Sequence, residues 1–281
     1  MWLNSNKSIH VKLVILLAIT SFMCACTAKK QDDQYAERIH VSKQYVVDVD
    51  SLVSVAKPDD MTEVLITYDP NVKGIKKYQG IQLGVQLKRI LKQRNLDAGK
   101  FDMVFVCKDG YAPVRHVTEL SGRQDGYIVF KDLAAPASQN WTPAMEGAFS
   151  PYYLVWTTDS VHAGELPWPY GLVSIKLVEK DSMLFSGLSK NKASFAGYHL
   201  FRKHCFSCHS INKTGGQVGP EMNWPRNITE YWTDDNIRHY VKEPKSFRYN
   251  AHMPAMRQVN DLDIDAIIQY LHYMKKHKYK E

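Results

Sequence analysis

The chain has 281 residues, 44% of them hydrophobic and 23% charged, with a formal charge of +7. That balance excludes wholesale disorder and leaves room for two modest folded domains. The basic residues are neither interleaved with aromatic platforms nor set in a reading helix, so nucleic acid is not an expected partner. Part of the charge lies in the closing run Lys275-Lys276-His277-Lys278-Tyr279-Lys280. That run reads as a solvated helix end, or as a basic rim for an acidic redox partner.

At the start, Lys7, His10 and Lys12 lead into the apolar run Leu13-Val14-Ile15-Leu16-Leu17-Ala18-Ile19. The run is short for a bilayer span and has the layout of a secretory signal. Met23-Cys24-Ala25-Cys26 then resembles a bacterial lipobox, with Met23 in place of the usual Leu. The resemblance implies a signal peptide over residues 1–25, lipidation of Cys26, and a periplasmic protein anchored to a bacterial membrane. The alternatives are an uncleaved anchor or a signal cut near Ala28; each places the folded part outside the cytoplasm. Residues 26–60 are polar and charged, with only short β-like stretches such as Tyr45-Val46-Val47, and read as a tether.

Residues 61–180 are mainly strand-like. The predicted strands are Val64-Leu65-Ile66-Thr67-Tyr68, Met103-Val104-Phe105-Val106-Cys107, Gly126-Tyr127-Ile128-Val129-Phe130, Tyr152-Tyr153-Leu154-Val155-Trp156 and Leu172-Val173-Ser174-Ile175-Lys176-Leu177-Val178. One helix is predicted over residues 84–93, where Val85, Leu87, Ile90 and Leu91 share a face. In the order Tyr78-Gln79-Gly80-Ile81-Gln82-Leu83, Asp109-Gly110-Tyr111-Ala112-Pro113-Val114, Ser150-Pro151-Tyr152-Tyr153-Leu154-Val155 and Tyr170-Gly171-Leu172-Val173-Ser174-Ile175-Lys176, residues 78–178 resemble the molybdopterin-binding domain of the sulfite oxidase superfamily. The resemblance implies a β-rich α+β fold. The metal-binding Cys of that superfamily is missing, however, because residues 65–75 contain no Cys and Cys107 lies on a different strand. Residues for oxyanions or a pterin phosphate are also sparse, mainly Arg115, His116 and Arg123. The expectation is a degenerate domain without molybdenum, kept as a scaffold, docking surface or binding module. Cys107 reads as a small core residue.

After residue 180 the pattern changes. Ser186-Gly187-Leu188-Ser189-Lys190 reads as a hinge, and residues 190–281 as an all-α second domain. Helices are predicted over residues 192–203, residues 234–242 (capped by Thr233 or Asp234 and ended by Pro244) and residues 261–276. Between the first two lies Cys205-Phe206-Ser207-Cys208-His209. Two thiols three residues apart can add to the two vinyl groups of a porphyrin, and a His directly after the second is held beneath the iron. A zinc pair would need two further ligands, for which His239 and His252 are candidates, and a redox dithiol would need a strand-to-helix setting.

The second axial ligand is sought in His252-Met253-Pro254-Ala255-Met256. A thioether favours ferrous iron and raises the potential, whereas His252 would lower it. Residues 193–274 resemble class I cytochromes c. That resemblance implies Met253 as the sixth ligand, with Met256 as the alternative. It also implies a loop, Gly215-Gly216 and Gly219-Pro220, that packs on the proximal imidazole and supplies a carbonyl to its N–H. Gly197 and Phe201 would pack against Tyr270 and Leu271. Trp224, Trp232 and Tyr249 are candidates for the haem edge.

The expected function is single-electron transfer by one covalent haem c, held by Cys205, Cys208, His209 and Met253, with no catalytic residues. Respiratory-chain redox proteins or a periplasmic oxidoreductase are the expected partners. The alternative is a sulfite-oxidase-like molybdenum oxidoreductase with the haem as its electron outlet.

Overall fold

Eight strands of the described chain form one sheet. In this computed structural model residues 44–158, 166–180, 188 and 191–278 are described. The signal segment, Cys26 and all of the hinge except Leu188 lie outside them. The strands are β1 (Gln44–Asp48), β2 (Met61–Asp69), β3 (Gly74–Gln82), β4 (Phe101–Cys107), β5 (Val114–His116), β6 (Gly126–Asp132), β7 (Tyr152–Trp156) and β8 (Tyr170–Glu179), and they lie in the order β2-β3-β6-β7-β8-β4-β5, with β1 added on β8.

The expected tether is therefore structured from Gln44 onward. Strand β1 lies antiparallel to β8, with Tyr45 opposite Leu177 and Val47 opposite Ile175. Helix α1 (Val49–Ser54) follows directly, capped by the Asp48 carboxylate, which accepts the Ser51 amide at 2.9 Å, and it buries Val49 and Leu52. A strand of five residues and a helix of six are too short for periodicity to separate from a polar linker.

Helix α2 (Leu83–Gln93) occupies the predicted stretch and buries Leu83, Leu87, Ile90 and Leu91. Helices α3 (Val117–Ser121) and α4 (Pro143–Phe149) were not predicted, again because each is too short to declare a period.

Strands β4 and β7 are buried on both faces, which explains why they read as continuous apolar runs, whereas β2 and β3 keep an exposed face that includes Leu65 and Ile75. In β7, Tyr152, Leu154 and Trp156 join one core cluster with α2, while Tyr153 and Val155 join another on the opposite side with Trp141, Met145 and Phe149 of the α4 region. The second cluster surrounds Asp69, whose buried carboxylate accepts the Tyr78 and Tyr153 hydroxyls at 2.9 and 3.0 Å and the amides of Asn71 and Val72. Four donors satisfy the carboxylate, as a buried charge requires.

At the β8-β4-β5 end, the helical region covers the sheet. Strand β4 sends Phe101, Met103, Phe105 and Cys107 into the core shared with α2. Val104, with Ala112, Val114 and Val178, enters a third cluster together with Tyr198, Phe201, Phe206 and Ile211. Leu188, from the predicted hinge, is fully buried in that same cluster. The described residues all belong to one compact unit, and this apolar seam joins the β-rich region to the helical one.

The helical region contains α5 (Lys192–His204), α6 (Asp234–Lys242), α7 (Pro244–Phe247) and α8 (Asp261–Lys275), plus the small β9 (Ser210–Ile211) and β10 (Thr214–Gly215) pair. Thr233 caps α6, its hydroxyl accepting the Asn236 amide at 3.2 Å, and Asn260 caps α8. Among the described residues no helix is long and apolar enough to cross a membrane.

Candidate functional site

Helix α5 carries the cysteine motif at its C-terminal end. Its start is capped by Asn191, and its face of Tyr198 and Phe201 lies against Tyr270 of α8, with ring centroids 5.7 and 5.6 Å apart. Gly197 makes that approach possible, because a Cβ there would run into the Ala266 carbonyl and the Tyr270 side chain. The predicted helix pair is thus present, at close range and through the predicted residues.

Cys205 is the C-cap, its amide donating to the Phe201 carbonyl at 2.8 Å. The next turn is tight: the amides of Cys208 and His209 both donate to the Cys205 carbonyl, at 3.1 and 2.9 Å. Both thiols and the imidazole therefore issue from a single turn. Burial pushes the Cys205 thiol up to about 12 and raises that of Cys208 as well.

The glycine loop then folds back over the motif. The Gly216 amide donates to the Phe206 carbonyl and the Gly219 amide to that of Cys208, at 2.9 and 2.8 Å. A Cβ at Gly216 would collide with the Ser207 carbonyl, and one at Gly219 would fall on the His209 ring. His209 Nδ1 lies 2.8 Å from the Pro220 carbonyl, so Nδ1 carries the proton and Nε2 keeps its lone pair. Burial lowers the imidazole pKa, against the opposing pull of that carbonyl, and so favours the neutral ring a metal needs.

A polar network that sequence reasoning missed holds this loop to α8. Asn223 donates to Asn212 and Asn227 to Asn223, each at 2.7 Å, and Asn227 also reaches the Leu271 carbonyl. Glu221 accepts the backbone amides of Asn212, Lys213, Asn223 and Trp224. The visible signal was three Asn within a loop that also needs turns; that they are buried, and bonded to one another, is tertiary information.

Downstream, the two candidate methionines differ in setting. Met256 packs against the helical core, its amide donates to the Val241 carbonyl at 2.9 Å, and its sulfur accepts from Gln258 at 3.7 Å. Met253 is half-buried and belongs to none of the described core clusters. His252 is exposed, as is His239. Among the described residues no group of three or more His, Cys, Asp or Glu side chains could hold a metal ion, so the zinc reading lacks its further ligands. Trp232 lies in a ring cluster with Tyr240 and Phe247, Lys213 sits over the Trp224 ring at 4.4 Å, and Tyr249 is 90% exposed.

The Asp109-Gly110-Tyr111 turn, which the sulfite oxidase resemblance would direct toward a pterin cofactor, is instead docked on the cysteine motif. The Ala112 amide donates to the Ser207 carbonyl at 2.9 Å, and the Gln217 amide to the Gly110 carbonyl at 2.8 Å. Cys107 is buried in the sheet core, with its thiol pushed up to about 12 by burial. The turn's surroundings therefore lend nothing to the molybdenum alternative.

Residues 195–271 match the family described as cytochrome C oxidase, cbb3-type, subunit III. A stretch of 85 residues is 27% identical to cytochrome c oxidase subunit 2 of Alkalihalophilus pseudofirmus (strain ATCC BAA-2126 / JCM 17055 / OF4), covering 28% of this chain and 25% of that protein. The chain thus spans about a quarter of that curated relative's length.

Proposed function

We propose that the C-terminal region, a c-type cytochrome domain, makes the chain a carrier of single electrons through one haem c. When bound, the haem supplies a one-electron ferric/ferrous couple. The residues present suit it: Cys205 and Cys208 would hold the porphyrin by thioethers, and His209 and Met253 would hold the iron. The observation that carries this reading is the bond from His209 Nδ1 to the Pro220 carbonyl, which orients the ring and leaves Nε2 as the free lone pair.

Met253 is favoured over Met256 because the Met256 thioether already packs in the core and accepts a hydrogen bond. Held by His209 and Met253, the iron would be closed to substrate, and no acid or base would be required of the chain. Export with a lipid on Cys26 would anchor the protein to a bacterial membrane on its periplasmic side, where respiratory redox proteins are the natural partners. The β-rich region serves as a scaffold for the haem domain, a reading supported by the apolar seam the two regions share.

An optical redox titration with metal analysis on one purified, matured sample tests the proposal. Covalent haem iron and a one-electron transition are expected, with the spectrum altered in Met253→Ala and retained in Met256→Ala. Absence of covalent haem, or a spectrum unchanged in both variants, rejects the ligand assignment. Molybdenum or pterin in that sample would restore the oxidoreductase alternative.

A further inference from the structure

An open recess of about 330 Å³ lies beside the glycine loop, lined by Ser210, Lys213, Gln217, Gly219, Glu221 and Trp224. Gly219 is a shared wall: it lines the recess and also covers the His209 ring, with no room for a Cβ between them. At the rim, the exposed Lys213 holds its ammonium over the Trp224 ring, 4.4 Å from the centroid. The Glu221 carboxylate is engaged by four backbone amides of the loop.

Lys213 occupies an unusual backbone position. The β9-β10 pair, with Ile211 opposite Thr214, is closed by Asn212 and Lys213 at φ +51° and +66°. Asn tolerates that left-handed region, but at the second place of such a turn Gly is the unstrained choice. The bond from the Lys213 amide to Glu221 would be made by Gly equally well, so it does not explain the Lys. Backbone strain kept for the sake of an exposed charge points to a use for that charge.

The closing basic run is brought to the same place. The Asn212 and Asn223 side chains donate to the His277 carbonyl at 2.8 and 3.4 Å, and the Lys278 ammonium reaches the Pro225 carbonyl at 3.3 Å and Glu230 at 2.6 Å. Lys213, Arg226, Lys275, Lys276 and Lys278 accordingly border one face. The carboxylates brought there by these contacts are both engaged, Glu221 by the loop amides and Glu230 by Lys278, so the face is positive.

We propose that this face docks a partner protein through an acidic segment. One carboxylate side chain enters the recess toward Lys213 and lies along Trp224, and its neighbours meet the lysines at the end of α8. A concave site with an aromatic wall suits an inserted side chain, whereas a flat lipid surface would leave it unfilled. Complementary charge over such a face speeds encounter and weakens with salt. The consequence for electron transfer rests on the proposed haem at His209: the docked partner sits on the imidazole side of the iron, behind Gly219 and Pro220, and not at Met253.

The test uses the full-length, matured protein and a fluorescent hexaglutamate peptide, with phosphatidylglycerol vesicles as a second probe. The peptide is expected to bind, and carbodiimide is expected to cross-link it to Lys213 or Lys276. Lys213→Gly is expected to weaken peptide binding about fivefold at low salt and less at high salt, with a urea midpoint at or above that of the wild type. Lys276→Gln, which leaves the turn untouched, is expected to weaken binding as well, and Lys245→Gln, a few residues before Met253, to leave it unchanged. Peptide binding that is indifferent to both Lys213→Gly and Lys276→Gln, cross-links confined to Lys245, or binding to the vesicles alone overturns this inference. A wild type that binds the peptide in the expected way but lacks covalent haem overturns the proposed function and leaves the docking face standing.

Discussion

His209 occupies a position where several small effects agree. The Pro220 carbonyl orients its ring, Gly219 packs on it without a side chain, and burial disfavours its charged form. His204, one turn earlier, is also lowered by burial and by Lys203. Below pH 6.5, the ordinary imidazole value, the unfolded chain binds more protons at these two rings than the folded chain does. Stability of the haem-free protein is therefore expected to fall as pH drops through that value. Urea midpoints at pH 7 and pH 5 measure this, and His209→Asn is expected to narrow the gap between them. Gly219→Ala is expected to push the His209 ring aside and to change the haem spectrum while circular dichroism keeps its helical signal. At Cys107 the consequence is inertness. With the thiol pushed up to about 12, the thiolate fraction at pH 8 is about one in ten thousand, so alkylation is expected only after unfolding.

Among elements, the contact of α5 with β4 decides how the two regions are joined. Asp102 of β4 is almost fully buried, and its carboxylate is bonded to Arg202 of α5 and to His116 of β5, each at 2.5 Å. Arg202 lies one turn before Cys205, so this ion pair ties the sheet to the helix that presents the motif. Arg202→Met would keep much of the packing but leave Asp102 short of a cation. A loss of about 3 kcal/mol is expected, read as a lower urea midpoint at unchanged slope. A midpoint within error of the wild type would show that His116 compensates. The Arg was visible in the sequence only as one of several basic residues near the end of α5; its buried partner lies 100 positions earlier.

For the whole molecule, the shared seam predicts a single cooperative unit. Val104, Val114 and Val178 of the sheet pack with Phe201, Phe206 and Ile211 of the helical region, so removing residues 61–180 would expose that apolar surface. The isolated helical region is expected to aggregate or to bind a hydrophobic dye, and in the full chain tryptophan fluorescence and haem absorbance should unfold at one midpoint. Separate midpoints would indicate two independent domains. Much of the local structure was legible in advance. The Cys205-Phe206-Ser207-Cys208-His209 spacing, the α5 and α8 helices with Gly197 between them, and the strand runs from Met103 to Cys107 and Tyr152 to Trp156 all follow from short-range patterns. Such patterns report periodicity, capping and ligand spacing, which reside within a few residues of one another. What covers the second face of β4, why Ser207 is held, and where Asp109-Gly110-Tyr111 points depend on pairings between residues about a hundred positions apart. Those pairings were decided by which apolar faces remained to be buried once the local elements had formed, and that choice exists only in the tertiary structure.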